Sequence, residues 1–73
     1  MSHGEPDQAG RILRSEMVRR NVSYADLSGR LAERGIEVSE AALRNKVSRG
    51  GFAADFFLQA LRAIGVESLR LTE

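Results

Sequence analysis

Asn21, Gly35, the Gly50-Gly51 pair and Gly65 cut the chain into short periodic apolar segments, and this spacing constrains the fold more than any other feature. Glycines and serines punctuate the segments, and the chain carries no internal repeat or low-complexity block. Each segment has helical rather than alternating periodicity. In the first, Ala9, Leu13 and Met17 recur every four residues with Ile12 beside them. Asp7 is the expected N-cap, Arg20 the approximate end, and Gly10 a weak point in the first turn. The second start is the best marked. Ser23 caps it, Asp26 completes a capping box, and Val22 with Leu27 forms a hydrophobic staple. Tyr24, Leu27, Ser28 and Leu31 then share a face, with small Ser28 where a neighbouring helix could approach closely, and Gly35 ends the segment.

In the third segment Ser39 is the cap and Val38 and Leu43 a second staple, and the helix runs to Arg49 with only Leu43 and Val47 pointing inward. The fourth, Ala53 to Ile64, lacks a polar cap. It carries Phe56, Phe57, Ala60, Leu61 and Ile64 on one face, which reads as the main apolar contribution to the core, and Phe52 can staple against Phe57. The expectation is an all-α, compact four-helix domain over residues 7–65, after a flexible tail of residues 1–6. A short C-terminal tail of residues 66–73 follows, in which Val66, Leu69 and Leu71 suggest an extended segment, with a final helical turn as the alternative.

A chain of 73 residues buries only roughly 60% of its unfolded surface, which argues against a large catalytic cavity. Without cysteine there is no disulfide framework and no thiolate metal site, and the single histidine, His3, falls in the tail. The serines are accounted for as caps or helix-surface residues, the acids are scattered, and no phosphate-loop or dinucleotide motif is present. The sequence therefore predicts no enzyme, no cofactor, no metal and no small-molecule ligand. Uninterrupted apolar stretches reach about three residues against the roughly 20 of a membrane span, and Met1 to Pro6 lacks the regions of a signal peptide. A cytoplasmic protein with no membrane partner is expected.

The third segment carries the functional signal. With 100° per residue and Leu43 and Val47 pointing inward, Asn45 lies opposite them, with Ala41 and Arg49 about 40° to either side of it. Ser48 falls beside Ala41, and Arg44 and Lys46 flank the inward stripe. Between Ala41 and Ala54 there are three cations, Arg44, Lys46 and Arg49, and no acid, although the whole chain balances 11 Lys+Arg against 10 Asp+Glu. Little bulk, donors for base edges and charge for phosphates suit a DNA major groove. Solvation alone also places charges on such a face. Asn45 could be an ordinary surface amide, Arg49 a complement to the helix dipole and Lys46 a snorkelling side chain. Of the basic cluster Arg11, Arg14, Arg19 and Arg20 on the first segment, most read as solvating charges, with Arg19 and Arg20 the candidates for phosphate contact.

The run Asn21-Val22-Ser23-Tyr24, then Leu27, Leu31, Gly35-Ile36, Val38-Ser39, Leu43, Lys46-Val47, Arg49-Gly50, Phe52 and Phe56 to Gly65, resembles a family of small bacterial domains of unknown function over roughly residues 8–71. More distantly, the order of caps and apolar positions is similar to lambda-repressor and Cro-type helix-turn-helix domains, in which a Val-Ser pair starts the recognition helix and an Arg-Gly pair ends it. That resemblance implies a recognition helix over Ser39 to Arg49 and a supporting helix over Ser23 to Arg34, with Ser39, Glu40, Ala41, Arg44 and Asn45 at the positions that meet DNA. The chain departs from it in a longer connection from Gly35 to Val38, one extra residue before Arg-Gly, and no fifth helix.

The two together suggest a DNA-binding transcriptional regulator that occupies an operator. Its expected partners are double-stranded DNA and a second copy of itself, through Val66, Leu69 and Leu71. The same three residues could instead close the core of their own chain. The alternative function is a protein-interaction module, an antitoxin or adaptor, on the same fold without DNA.

Overall fold

A computed structural model describes residues 8–69, so the whole expected N-terminal tail with His3, the expected cap Asp7, and residues 70–73 of the C-terminal tail with Leu71 lie outside the described residues. Four helices make up the fold, α1 Gln8–Arg19, α2 Tyr24–Glu33, α3 Glu40–Arg49 and α4 Ala54–Ala63, with no strand among the described residues. Their order and extents follow the periodicity of the sequence to within about a residue at each described end. Four punctuating residues, Asn21, Gly35, Gly50 and Gly65, take φ values of 58°, 85°, 73° and 88°. Each stops a helix through the left-handed region, which glycine enters without strain and asparagine tolerates. At three of these ends a paired closure forms: Val22 N–H reaches Met17 O at 2.8 Å, Ile36 N–H reaches Leu31 O at 2.9 Å, and Val66 N–H reaches Leu61 O at 3.0 Å.

The α2 start has the box its sequence encodes. Ser23 Oγ accepts from Asp26 N–H at 3.0 Å, and Asp26 Oδ2 accepts from Ser23 N–H at 3.1 Å. These two bonds, the backbone one first, hold the Asp26 carboxyl below its ordinary pKa. Ser39 caps α3 by accepting from Ala42 N–H at 3.1 Å. The α4 N-cap, Ala53, makes no side-chain cap bond. Phe52 serves there instead, with ring centroids 5.4 Å from Phe56 and 5.9 Å from Phe57.

The core joins all four helices and Val22. Its fully buried large side chains are Leu13, Leu27, Leu31, Leu43 and Val47, drawn from α1, α2 and α3. This corrects the expectation that the phenylalanine face of α4 dominates the interior. Phe52, Phe56 and Phe57 are half-buried and cluster on one another at the core's edge, and α4 buries Ala60 and Leu61, with Ile64 at its C-cap. Val66 and Leu69, in the chain after α4, are also half-buried against the core.

α1 and α2 each pack on both α3 and α4. Four contacts fix this arrangement. Gly10, on the buried face of α1, lies so near α3 that a Cβ there would collide with the Val47 carbonyl oxygen and stand 3.4 Å from Gly50 Cα. Ser28 Oγ donates to Val38 O at 2.7 Å, tying α2 to the segment that leads into α3 rather than making room for a helix. On the far side of α2, Arg30 donates to Ala63 O at 3.2 Å and Arg34 to Gln59 Oε1 at 3.0 Å. Arg30 thereby complements the carbonyl end of α4.

Candidate nucleic-acid interface

α3 presents one narrow apolar stripe to the protein and everything else to solvent. Leu43 and Val47 are 0% exposed, whereas Glu40, Ala41, Ala42, Arg44, Asn45, Lys46, Ser48 and Arg49 are all exposed. Two inward residues suffice because α1 and α2 both pack against this helix. The middle of the outer face is low and polar, with Ala41, Asn45 and Ser48 beside Arg49. Ala42, Asn45, Lys46, Arg49 and Gly51 line a broad, open concavity along it.

The two flanking cations rest on aromatic rings of neighbouring segments. The Arg44 guanidinium carbon is 5.0 Å from the Tyr24 ring centroid, and Lys46 Nζ is 5.2 Å from that of Phe56. Exposed contacts of this kind contribute about 0.5–1 kcal/mol each and narrow the range of positions the charge samples. Arg44 Nη2 also donates to Glu40 Oε2 at 2.7 Å, one helical turn back. Tyr24 and Phe56 are thus part of the site although periodicity assigns them only to core faces. Their role depends on how α3 lies against its neighbours, which a single-helix projection does not contain.

Of the ten sequence-derived site residues, the eight from Ser39 to Arg49 gather on α3 and its cap. Ser39 spends its acceptor on the cap bond, which leaves its hydroxyl hydrogen as a donor. Arg19 and Arg20 do not join them in the same way. The Arg20 guanidinium is tied to Glu16 on its own helix, and Arg19 lines a different concavity with Arg11, Ile12, Ser15, Glu16, Ser68 and Leu69. On α1 it is Arg14 that shares a concavity with Tyr24, Glu40 and Arg44. Among the described residues, no group of three or more His, Cys, Asp or Glu could hold a metal ion, and no helix is long and apolar enough to cross a membrane.

Residues 6–69 match a domain of unknown function, DUF6471. The chain belongs to that family. The matched span takes in all four helices of this DUF6471 domain and the half-buried Val66 and Leu69, close to the extent that the sequence resemblance indicates. No curated protein and no solved structure matches it.

Proposed function

We propose that this DUF6471 chain is a small DNA-binding protein that regulates transcription by occupying an operator. In this reading α2 and α3 form a helix-turn-helix and α3 enters the major groove. The observation that carries it is the α3 face: a low centre of Ala41, Asn45 and Ser48, with Arg49 beside it, bounded by Arg44 and Lys46 on their rings. Asn45 supplies donors and an acceptor for base edges, while Lys46 and Arg49 supply charge for phosphates. The anchoring of α3 by buried Leu43 and Val47, and of its approach by the Ser28–Val38 bond, keeps that face rigid. The longer connection Arg34 to Ser39 sets the angle between the two helices and distinguishes this motif from a tight-turn relative.

One short recognition helix covers only a few base pairs, so the protein acts as a homodimer on a two-fold site in the cytoplasm. With Val66 and Leu69 half-buried on their own core, that pairing draws on the exposed parts of the same surface, where Leu58 stands beside them.

Asn45→Ala and Arg49→Ala test the assignment. Both side chains are exposed, so both variants are expected to retain the wild-type circular dichroism spectrum and melting temperature. For each copy of the chain, loss of a base contact costs about 1–3 kcal/mol of specific affinity and loss of a phosphate contact lowers the salt slope by about one, so the homodimer shows about twice either effect. Wild-type affinity and slope in both variants would remove this face from the interface.

A second reading, a protein-interaction module of the antitoxin or adaptor kind, draws on Val18. This residue is 80% exposed and lines a concavity with Met17, Val22 and Tyr24. Isolated exposed apolar residues are common on monomers, and the α3 face favours DNA.

A further inference from the structure

We propose, building on the DNA-binding reading, that Glu40 and Arg44 act as one unit that reads a G·C base pair. The only acid exposed on the recognition helix is Glu40, in its first turn, immediately before an acid-free run that carries three cations. A carboxylate in that position opposes attraction to phosphates. It also cancels most of the charge of Arg44, whose Nη2 it accepts at 2.7 Å. The pair therefore contributes little to charge-driven binding, and what it offers DNA is a hydrogen-bonding pattern.

That pattern is fixed from two sides. The carboxylate holds one edge of the guanidinium and the Tyr24 ring lies against its face at 5.0 Å, while both side chains stay open to solvent, Arg44 at 59% and Glu40 at 50%. One guanidinium N–H is spent on Glu40 and the others remain, beside a carboxylate with unused lone pairs. A cluster of donors next to an acceptor complements the major-groove edge of G·C, where guanine O6 and N7 accept side by side and cytosine N4 donates next to them. An A·T pair interrupts the two acceptors with the adenine amino group and adds a methyl, so the guanidinium loses its bidentate partner.

The test uses the full-length chain and Glu40→Gln/Arg44→Gln, a double variant of unchanged net charge. Duplexes selected by the wild type from a random pool are compared with versions in which each G·C pair in turn becomes A·T, across a salt series. The wild type is expected to lose roughly 5- to 150-fold in affinity at one G·C pair per half-site. The double variant is expected to bind both duplexes within about twofold of each other, with the wild-type salt slope, since no phosphate contact is lost. Because the pair is exposed, its melting temperature stays close to wild type. Arg44→Lys, which keeps the charge but not the fork, is expected to lose the discrimination as well. Retention of the G·C preference by the double variant, or selected sites indifferent to every G·C pair, would overturn this inference alone, leaving DNA binding in place. Failure of the wild type to bind any duplex at low salt would overturn it together with the reading it rests on.

Discussion

Leu43→Ala is expected to leave the protein largely unfolded at 25 °C. Leu43 is fully buried where α3 meets α1 and α2, and it is half of the only apolar stripe that α3 contributes. Truncating a buried leucine costs on the order of 2–5 kcal/mol, the lost transfer energy plus the cavity left behind. A domain of this size rarely holds more than about 3–5 kcal/mol in total. Losing Leu43 also loosens the exposed α3 face, because Val47 is then the one fully buried side chain that α3 contributes to the core. Urea titration followed by circular dichroism checks this. A midpoint within error of wild type would mean that α3 is held by something other than its stripe.

Gly10→Ala is expected to destabilise the protein by about 2 kcal/mol or more, against the direction that helix propensity indicates. In the middle of a solvated helix, alanine gains roughly 1 kcal/mol over glycine. At Gly10 the added methyl meets the Val47 carbonyl oxygen and then Gly50 Cα, which are backbone atoms and cannot rotate aside. α1 must lift away from α3, and Leu13 and Met17 lift with it. Gly29 provides the internal comparison, since a Cβ there meets nothing within 4 Å. Gly29→Ala is expected to raise the melting temperature by a few degrees while Gly10→Ala lowers it by roughly 8 °C or more. If both substitutions stabilise, the close α1–α3 approach is not a feature of the folded protein.

These two glycines also show where sequence reading ends. Local signals were fully legible. The Ser23–Asp26 box, the cap at Ser39 and the stops at Asn21, Gly35, Gly50 and Gly65 depend on residues within a few positions of each other, and all formed. Leu43 and Val47 are legible as the inward pair because a 3.6-residue period is a property of one segment. Gly10 looked like a defect because its justification lies some forty residues away, on α3. For the same reason the sequence marks Ser28 as small but not as a donor to Val38, and carries no signal for the rings beneath Arg44 and Lys46. The phenylalanines misled in the opposite direction. Three large rings imply a core by composition, yet their mutual packing at the start of α4 satisfies much of their surface without bringing them to the centre. Within the candidate site, the identity of the exposed α3 residues was readable and their organisation was not. Sequence alone sets three cations around a polar centre; the structure adds that Arg44 both pairs with Glu40 and lies on the Tyr24 ring, and that Lys46 lies on the Phe56 ring.

A salt titration of the wild-type protein on random duplex DNA decides whether the chain binds DNA by charge and groove contact. Lys46 and Arg49 from each of two copies would give about four phosphate contacts. The logarithm of affinity should then fall with the logarithm of salt at a slope of about −3.6, or roughly 150-fold between about 50 and 200 mM. Duplex binding with a steep slope of that order is the predicted result. No retention of duplex DNA at low salt, or binding that ignores salt, would contradict it.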